Sequence, residues 1–169
     1  EYFAMMRWAI QQDQKPIAIR TPSNGVVHTA EPVDAEYGYA PKYKVMHRGS
    51  KVAIIAAVSF YQKGENVVRL LADKGVDATL INPRYLNAVD VDVLNALKDD
   101  HQLVVTLEDG CKDGGFGERI ASYYGTSQMK VLVGGIKKGL YDRYDVHELL
   151  TNNRLLDEQI VEDVLGIVD

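Results

Sequence analysis

Three charged residues, Arg84, Glu108 and Asp109, follow or end apolar runs that are typical of β-strands. Open α/β sheets bind ligands in the crevice outside the carboxyl ends of their strands, so these positions are candidates for a site. Glu108 and Asp109 are neighbours on an extended segment, and their side chains therefore point to opposite faces and make a poor acid–base pair. The arrangement favours a structural ion pair between Arg84 and Glu108 over a catalytic one.

A glycine-rich turn, Gly114-Gly115-Phe116-Gly117, lies between a predicted strand and a predicted helix. Such a turn can present backbone N–H groups to a phosphate. The segment fits neither the GxGxxG nor the GxxxxGK(S/T) nucleotide fingerprint. We therefore expect the glycines to let the helix start close against the sheet.

The sequence offers no motif for a zinc site or an activated nucleophile. Its four histidines lack HxxxH or HExxH spacing, and no GxSxG elbow surrounds Ser59. The single cysteine, Cys111, forms no disulfide within the chain and is interpreted as an incidental loop thiol. The tyrosines at 123, 124, 141 and 144 suit either a subunit interface or ordinary partial burial.

Composition narrows the class of protein. The chain has 169 residues, 46% of them hydrophobic and 25% charged, which is typical of one globular domain or one domain with part of another. The net charge of −5 argues against a nucleic-acid partner, and no apolar run predicts a membrane-spanning helix. One cysteine suits a reducing cytoplasm, where we expect the protein to act.

The first part of the chain is irregular. A helix is predicted over 2–12, with no capping residue before Tyr2, and a short strand over 17–21. The stretch over 23–41 has glycines and prolines but no hydrophobic period, so it is interpreted as an interdomain linker. An edge strand is predicted over 43–47.

The rest of the chain alternates regularly. Strands are predicted over 52–58, 78–81, 103–107 and 131–133, with helices over 65–74, 91–98, 116–124, 146–150 and 158–168. Gly75 is predicted to end the first of these helices in a left-handed conformation, and Asp90 to cap the second. The alternation predicts a Rossmann-like, three-layer α/β/α domain with a mainly parallel sheet.

Several segments resemble the C-terminal domain of the transketolase superfamily. They are KVAIIA at 51–56, DATLINPRYLNAVD at 77–90, VTLEDG at 105–110 and GGFG at 114–117. Within that superfamily the tail is similar to the 1-deoxy-D-xylulose-5-phosphate synthases, through GIKK at 135–138, YDRY at 141–144 and LLDEQI at 155–160. The resemblance covers essentially the whole chain.

The resemblance implies an activity for a longer parent enzyme. Such synthases join decarboxylated pyruvate to glyceraldehyde 3-phosphate, and the product feeds isoprenoid, thiamine and pyridoxal synthesis. Thiamine diphosphate and Mg²⁺ are held by an N-terminal domain, a middle domain supplies a glutamate to the pyrimidine ring, and the enzyme is a homodimer. The metal motif and that glutamate are not in this sequence, so we expect the chain alone to be inactive, to bind neither cofactor, and to serve structure and dimerisation.

The resemblance also divides the chain. Residues 1–21 resemble the end of the pyrimidine-binding domain, 22–48 form a linker with an edge strand, and 49–169 form the C-terminal domain. At the end of the middle domain the synthases show A-(V/I)-R-Y-P-R-G, where the second arginine binds the substrate phosphate. Here the segment at 18–25 is AIRTPSNG, so Arg20, Ser23 and Asn24 are the phosphate candidates. The neutral Ser23 lacks bidentate charge, and Asn87-Ala88-Val89 departs from the family as well.

Three alternatives remain open. The parent is either a synthase or another superfamily enzyme, a transketolase or the β subunit of a 2-oxo-acid dehydrogenase. A non-enzymatic interaction domain is a third alternative, although an uncapped helix at Tyr2 argues against a domain that starts there.

Overall fold

The computed structural model describes the chain except for residues 22–24, 26–32, 35–36 and 169, and it contains two compact units, Glu1–Pro41 and Lys42–Asp169. In the first unit, helix α1 spans Tyr2–Gln11, and the Trp8 ring meets the Tyr39 ring edge-on at 5.4 Å. The prediction of a strand over 17–21 is wrong, because that segment is irregular. A lone extended segment needs a neighbour to hydrogen-bond, and the described residues of this unit include no strand.

The second unit is built on a five-stranded sheet. Its strands are β1 Lys44–His47, β2 Lys51–Ala56, β3 Thr79–Asn82, β4 His101–Cys111 and β5 Lys130–Ile136, and they lie in the order β1-β3-β2-β4-β5. The β1 strand runs antiparallel to β3 at one edge, whereas the other three pairs are parallel. The predicted edge strand and mainly parallel sheet are therefore confirmed.

Five α-helices lie in the part of the second unit that the structure describes. They are α2 Tyr61–Ala72, α3 Val91–Ala96, α4 Phe116–Tyr124, α5 Val146–Asn152 and α6 Asp157–Val168. Gly75 has the predicted left-handed backbone, with φ of 84°, and Asp90 caps α3 by accepting a hydrogen bond from Val93 N at 3.3 Å. The predicted strand over 52–58 is too long, because Val58 has φ of 52° and begins a 3₁₀ turn that leads into α2.

Alternate residues of the central strands pack in two hydrophobic cores, one on each face of the sheet. Ile54 and its β2 neighbours pack with α2 and α6 on one face, and Ile55 packs with α3 and α4 on the other. Both isoleucines are fully buried, and a side chain of this size contributes about 1.5–3 kcal/mol when it leaves water. Helices on both faces confirm the three-layer α/β/α prediction.

The corner between α5 and α6 has an unusual residue. Arg154 has φ of 55°, a left-handed conformation in which glycine normally ends a helix. Arg154 N donates to Thr151 O at 3.1 Å, and Leu155 N donates to Leu150 O at 2.8 Å. This pair of hydrogen bonds is the Schellman motif, so the corner is well formed despite the strain of a left-handed arginine.

Candidate functional site

The carboxyl edge of the parallel sheet is the candidate site that the sequence predicts. Glu108 and Asp109 were expected at the end of a strand, but they lie inside β4, which continues to Cys111. The strand extends this far because Cys111 pairs with Ile136 of β5, a contact that the apolar run ending at Leu107 does not indicate. Cys111 consequently ends a strand and is half-buried, which corrects the prediction of a loop thiol.

The Glu108 carboxylate lies beneath the start of α4. It accepts hydrogen bonds from Phe116 N at 3.1 Å and Gly117 N at 2.9 Å, and the residue is only 5% exposed. A negative charge at a helix N-terminus is favourable, because the first N–H groups of a helix have no partner within the helix. An internal carboxylate therefore takes the position that this turn would otherwise offer to a phosphate.

The remaining amides of the glycine-rich turn are also satisfied. Gly114 N donates to the Glu118 carboxylate at 2.8 Å, and Gly115 N donates to Lys112 O at 3.0 Å. All four N–H groups from Gly114 to Gly117 thus have partners within the chain. The turn is complete without a ligand.

Two of the glycines allow the close approach of α4 to the sheet. A Cβ atom at Gly117 would overlap Val133 and lie 2.5 Å from Thr106 Oγ1. A Cβ atom at Gly115 would lie 2.5 Å from Glu108 Oε1. The prediction that these glycines let the helix start against the sheet is confirmed.

Asp109 lies on the other side of β4 from Glu108. Its carboxylate accepts a hydrogen bond from Ser59 Oγ at 2.7 Å, in the 3₁₀ turn before α2. Adjacent strand residues point to opposite faces, as predicted, so the two carboxylates do not act on one atom. Asp109 instead helps to hold the 3₁₀ turn against the end of the sheet.

Arg84 follows β3 with a left-handed backbone, φ of 53°. Its guanidinium donates two hydrogen bonds to Lys42 O, at 3.0 and 3.1 Å. The structure thus gives Arg84 and Glu108 separate partners, and their pairing with each other stays a prediction.

The other predicted residues are only partly described. Arg20 is exposed, whereas Ser23 and Asn24 lie outside the described residues, so phosphate binding at this turn stays a prediction. Among the tyrosines, Tyr124 is buried and donates to Leu94 O at 2.7 Å, while Tyr144 is exposed. The pKa of Tyr124 is raised, mainly because its side chain is buried.

At the opposite, amino edge of the sheet lies a histidine network that the sequence analysis missed. The His101 ring contacts Asp100 Oδ1 through Nδ1 at 2.6 Å and Thr79 Oγ1 through Nε2 at 2.8 Å. Thr79 Oγ1 also accepts from Gly49 N at 2.9 Å. Because the Asp100 carboxylate only accepts, Nδ1 carries the single proton of a neutral imidazole and donates it to Asp100, and Nε2 accepts from the Thr79 hydroxyl.

An acid, an imidazole and a hydroxyl in this order resemble a nucleophilic triad, but burial excludes that role. Thr79 is fully buried, so no substrate reaches its hydroxyl. The network instead joins the starts of β3 and β4 to the segment before β2. Burial lowers the pKa of His101, an effect that Asp100 opposes in part. Asp100 directly before His101 was the only sequence signal, and it is weak.

Among the described residues, the side chains and amides of the candidate site do not suit thiamine diphosphate with its metal. Within the part of the chain that the structure describes, no group of three or more histidine, cysteine, aspartate or glutamate side chains is placed to hold a metal ion. The amides of the glycine-rich turn are used internally.

Across the described residues of the chain, no helix combines the length and apolar character needed to span a bilayer.

Comparison with known sequences gives a consistent family. Residues 41–150 match the family described as transketolase, C-terminal domain. The 1-deoxy-D-xylulose-5-phosphate synthase of Clostridium tetani is 30% identical over 167 residues, which cover 97% of this chain and 26% of that protein. The synthase of a Synechococcus strain is 35% identical over 121 residues, 69% of this chain and 18% of the relative. The chain therefore spans about a quarter or less of the curated relatives it matches.

Solved structures share the fold. A split gene transketolase, described as an inactive β4 tetramer, superposes with a TM-score of 0.67 at 21% identity, over 80% of this chain and 44% of that one. A transketolase mutant from Pichia stipitis superposes with a TM-score of 0.54 at 10% identity, over 75% of this chain and 18% of that one. At these identities the likeness concerns the fold alone.

Proposed function

The chain belongs to the transketolase C-terminal domain family, and we propose that it is the C-terminal part of a thiamine-diphosphate-dependent transferase of the 1-deoxy-D-xylulose-5-phosphate synthase type. The observation that carries this proposal is the 30% identity to the Clostridium tetani synthase over nearly the whole chain. The parent then converts pyruvate and glyceraldehyde 3-phosphate to 1-deoxy-D-xylulose 5-phosphate and CO₂. It acts in the cytoplasm, for isoprenoid and thiamine synthesis.

Within that parent, this chain has a structural role. The polar groups at the carboxyl edge of its sheet bond to one another, as Glu108 does with the start of α4, which supports a domain without chemistry of its own. Thiamine diphosphate and Mg²⁺ are bound by other parts of the polypeptide. Residues 1–21 complete the pyrimidine-binding domain, and residues 49–169 form the C-terminal domain. Residues 22–48 link the two domains.

The same role includes a contact in a parental homodimer. Tyr141 and Tyr144 are exposed and meet edge-on at 6.2 Å, next to a fully exposed Leu140. Aromatic residues are enriched at protein interfaces, so this segment supports dimerisation. Light scattering measures the oligomeric state of the full-length parent, and a monomer would contradict the proposed homodimer.

A second candidate is a transketolase or a 2-oxo-acid dehydrogenase β subunit. The observation in its favour is Ser23, where the synthases carry an arginine for the acceptor phosphate. A neutral residue there suits an acceptor that is bound in another way.

A coupled assay of the full-length parent separates the two. Pyruvate is supplied with glyceraldehyde 3-phosphate, with other aldose phosphates or with no acceptor, and the ketose product is quantified. Synthase activity requires pyruvate consumption that depends on glyceraldehyde 3-phosphate. Turnover with a ketose donor instead of pyruvate would establish a transketolase and reject the synthase.

A further inference from the structure

The segment between β1 and β2 (residues 48–50, the β1–β2 link) is bonded to the amino edge of the sheet. Arg48 Nη2 donates to both oxygens of the Asp100 carboxylate, each at 2.9 Å. Ser50 N donates to Asp77 O at 2.9 Å. Asp77 and Asp100 lie just before β3 and β4, so the link is held by the chain that enters two other strands.

The middle residue of the link, Gly49, is bonded to a buried hydroxyl. Its N–H donates to Thr79 Oγ1 at 2.9 Å, and Thr79 is fully buried. A Cβ atom at Gly49 would overlap Asp77 O, so the backbone of the link passes close against the chain that enters β3. While the link is in this position, the protonation state of the groups around Thr79 decides whether its hydroxyl accepts from Gly49.

The Thr79 hydroxyl connects Gly49 to His101. In the neutral ring Nε2 accepts the hydroxyl proton across 2.8 Å, and the Thr79 oxygen is left to accept from Gly49 N. A second proton on the ring goes to Nε2, because Nδ1 already donates to Asp100. Nε2 then becomes a donor. The Thr79 oxygen faces two N–H donors, and the hydroxyl proton has lost its acceptor at a buried position.

The charged groups around the His101 ring act on the same step. Asp100 Oδ1 contacts both Arg48 Nη2 and the His101 ring, so a protonated ring shares this carboxylate with a second cation. The Arg48 guanidinium repels the added charge, and burial of the ring opposes it further, so the pKa of His101 is lowered. Lys51 pairs with His101 in the register of β2 and β4, and Lys98 lines a surface pocket with it. Both lysines add positive charge.

The strand that the link attaches to β2 is weakly held. The β1 strand has four residues, lies at the edge of the sheet and borders only β3. Its side chains are exposed or half-buried in alternation, and none is fully buried. Opening of the link therefore exposes little apolar surface and does not require the central strands to separate.

We propose that protonation of His101 opens the β1–β2 link locally, before the sheet unfolds. Opening lets Gly49 N bond to water, leaves the Thr79 oxygen to the imidazolium, gives the hydroxyl proton a water acceptor, and moves Arg48 away from the ring. The link is then a pH-dependent attachment of the edge strand β1 to the rest of the second unit. This inference does not depend on the function proposed above.

The direction with pH follows from linkage. The ring is solvated in the open state, where the ordinary histidine pKa of about 6.5 applies, and its pKa is lower in the closed state. The open state therefore takes up the proton first. The link is closed above pH of about 6.5, and opening becomes more frequent as the pH falls below that value.

Native-state amide hydrogen exchange of the 169-residue chain, followed by NMR between pH 5 and 7.5, tests the proposal. Rates are corrected for the intrinsic pH dependence of exchange. We expect protection at the amides of Gly49 and Ser50 to fall about tenfold from pH 7.5 to pH 5. The Gly115 amide, which donates to Lys112 O at the opposite edge of the sheet, should keep its protection. The Val105 amide in central β4 should stay more protected than Gly49 at every pH.

Variants assign the proton to one histidine. His101→Gln removes the titrating ring and should abolish the pH dependence at Gly49. His47→Gln is the matched control, because His47 Nε2 contacts Asp77 Oδ1 at 2.6 Å beside the link and does not contact the Thr79 hydroxyl. It should keep the wild-type response. Thr79→Ser keeps the hydroxyl and should keep the response as well.

Four results would overturn the proposal. The first two concern the wild-type chain: unchanged protection of Gly49 across the pH range, or exchange of Gly49 as slow as that of Val105, which would mean that only global unfolding exposes the link. The third is an equal loss of protection at Gly115. The fourth is a wild-type pH response in a folded His101→Gln chain.

Discussion

The Gly117 amide donates a 2.9 Å hydrogen bond to the Glu108 carboxylate, and this bond joins the start of α4 to the middle of β4. A second bond from Phe116 N, at 3.1 Å, makes the contact bidentate. The carboxylate is buried, so these amides are its main compensation for lost hydration.

Replacing Glu108 with glutamine should destabilise the fold by about 1–3 kcal/mol, because the charge opposite the helix N-terminus is lost and an amide hydrogen faces a donor. Urea denaturation of the chain measures the change. Glu118→Gln is the matched control, since Glu118 accepts from Gly114 N at the same turn but is exposed, and its cost should stay well below that of Glu108→Gln. Equal costs would show that burial of the Glu108 carboxylate does not matter.

Gly117→Ala should cost about 1–3 kcal/mol, because the added methyl group overlaps Val133 and crowds Thr106 Oγ1. Gly166→Ala in α6 is the control, since nothing lies within 4 Å of its added methyl group. This second change should stabilise the chain by up to about 1 kcal/mol through helix propensity. Opposite signs in thermal unfolding are expected, and a neutral Gly117→Ala would contradict the close approach of α4.

The stability of the chain should fall as pH drops below about 6.5, the ordinary pKa of histidine. Burial lowers the pKa of His101 in the folded state, so the unfolded chain takes up this proton first and acid favours unfolding. The contribution of His101 is complete above that pH and is lost below it. The pKa of Asp100 is also lowered, by its bonds to His101 and Arg48 against the opposing effect of burial, and it acts at lower pH.

Thermal unfolding of His101→Gln between pH 5 and 7.5 checks this assignment. The variant should be less stable at pH 7.5 and should lose less stability on acidification than the wild type. His147→Gln, at an exposed position, should keep the wild-type slope. An unchanged slope in His101→Gln would remove His101 from the explanation.

In the full-length parent, Ser23→Arg should lower the KM for glyceraldehyde 3-phosphate about ten- to a hundredfold. An arginine adds a charge-assisted contact to the acceptor phosphate, which contributes about 1.5–3 kcal/mol. Steady-state kinetics with pyruvate held constant measure the change, and Ser127→Arg in the second unit is a control for the added charge. An unchanged KM would show that this acceptor is not bound at the turn.

Local patterns in the sequence predicted the fold well where local physics decides it. Asp90 caps α3 and Gly75 ends α2 because a capping carboxylate and a left-handed glycine act on their immediate neighbours. Alternating strands and helices predicted the layers for the same reason, because each element shows its own hydrophobic period.

The features that the sequence analysis missed depend on pairing between segments that are distant in the chain. The extension of β4 to Cys111 depends on β5, which follows much later in the chain. Ile17 lies in an apolar run that is not a strand, because a strand needs a partner that the run itself does not specify. The amides of Phe116 and Gly117, eight and nine residues ahead, bond to Glu108 because the fold of the glycine-rich turn brings them above it, and its pairing with Arg84 stays a prediction.

The order of the strands also constrains how the second unit assembles during synthesis. The β1 strand leaves the ribosome first, but its only neighbour is β3, so it has no place in the sheet until β2, α2 and β3 have been made. The central strand β2 borders both β3 and β4, and β5 borders only β4. The nascent sheet therefore cannot include β1 before β3 has been made, and β5 is the last of these strands that becomes available to it.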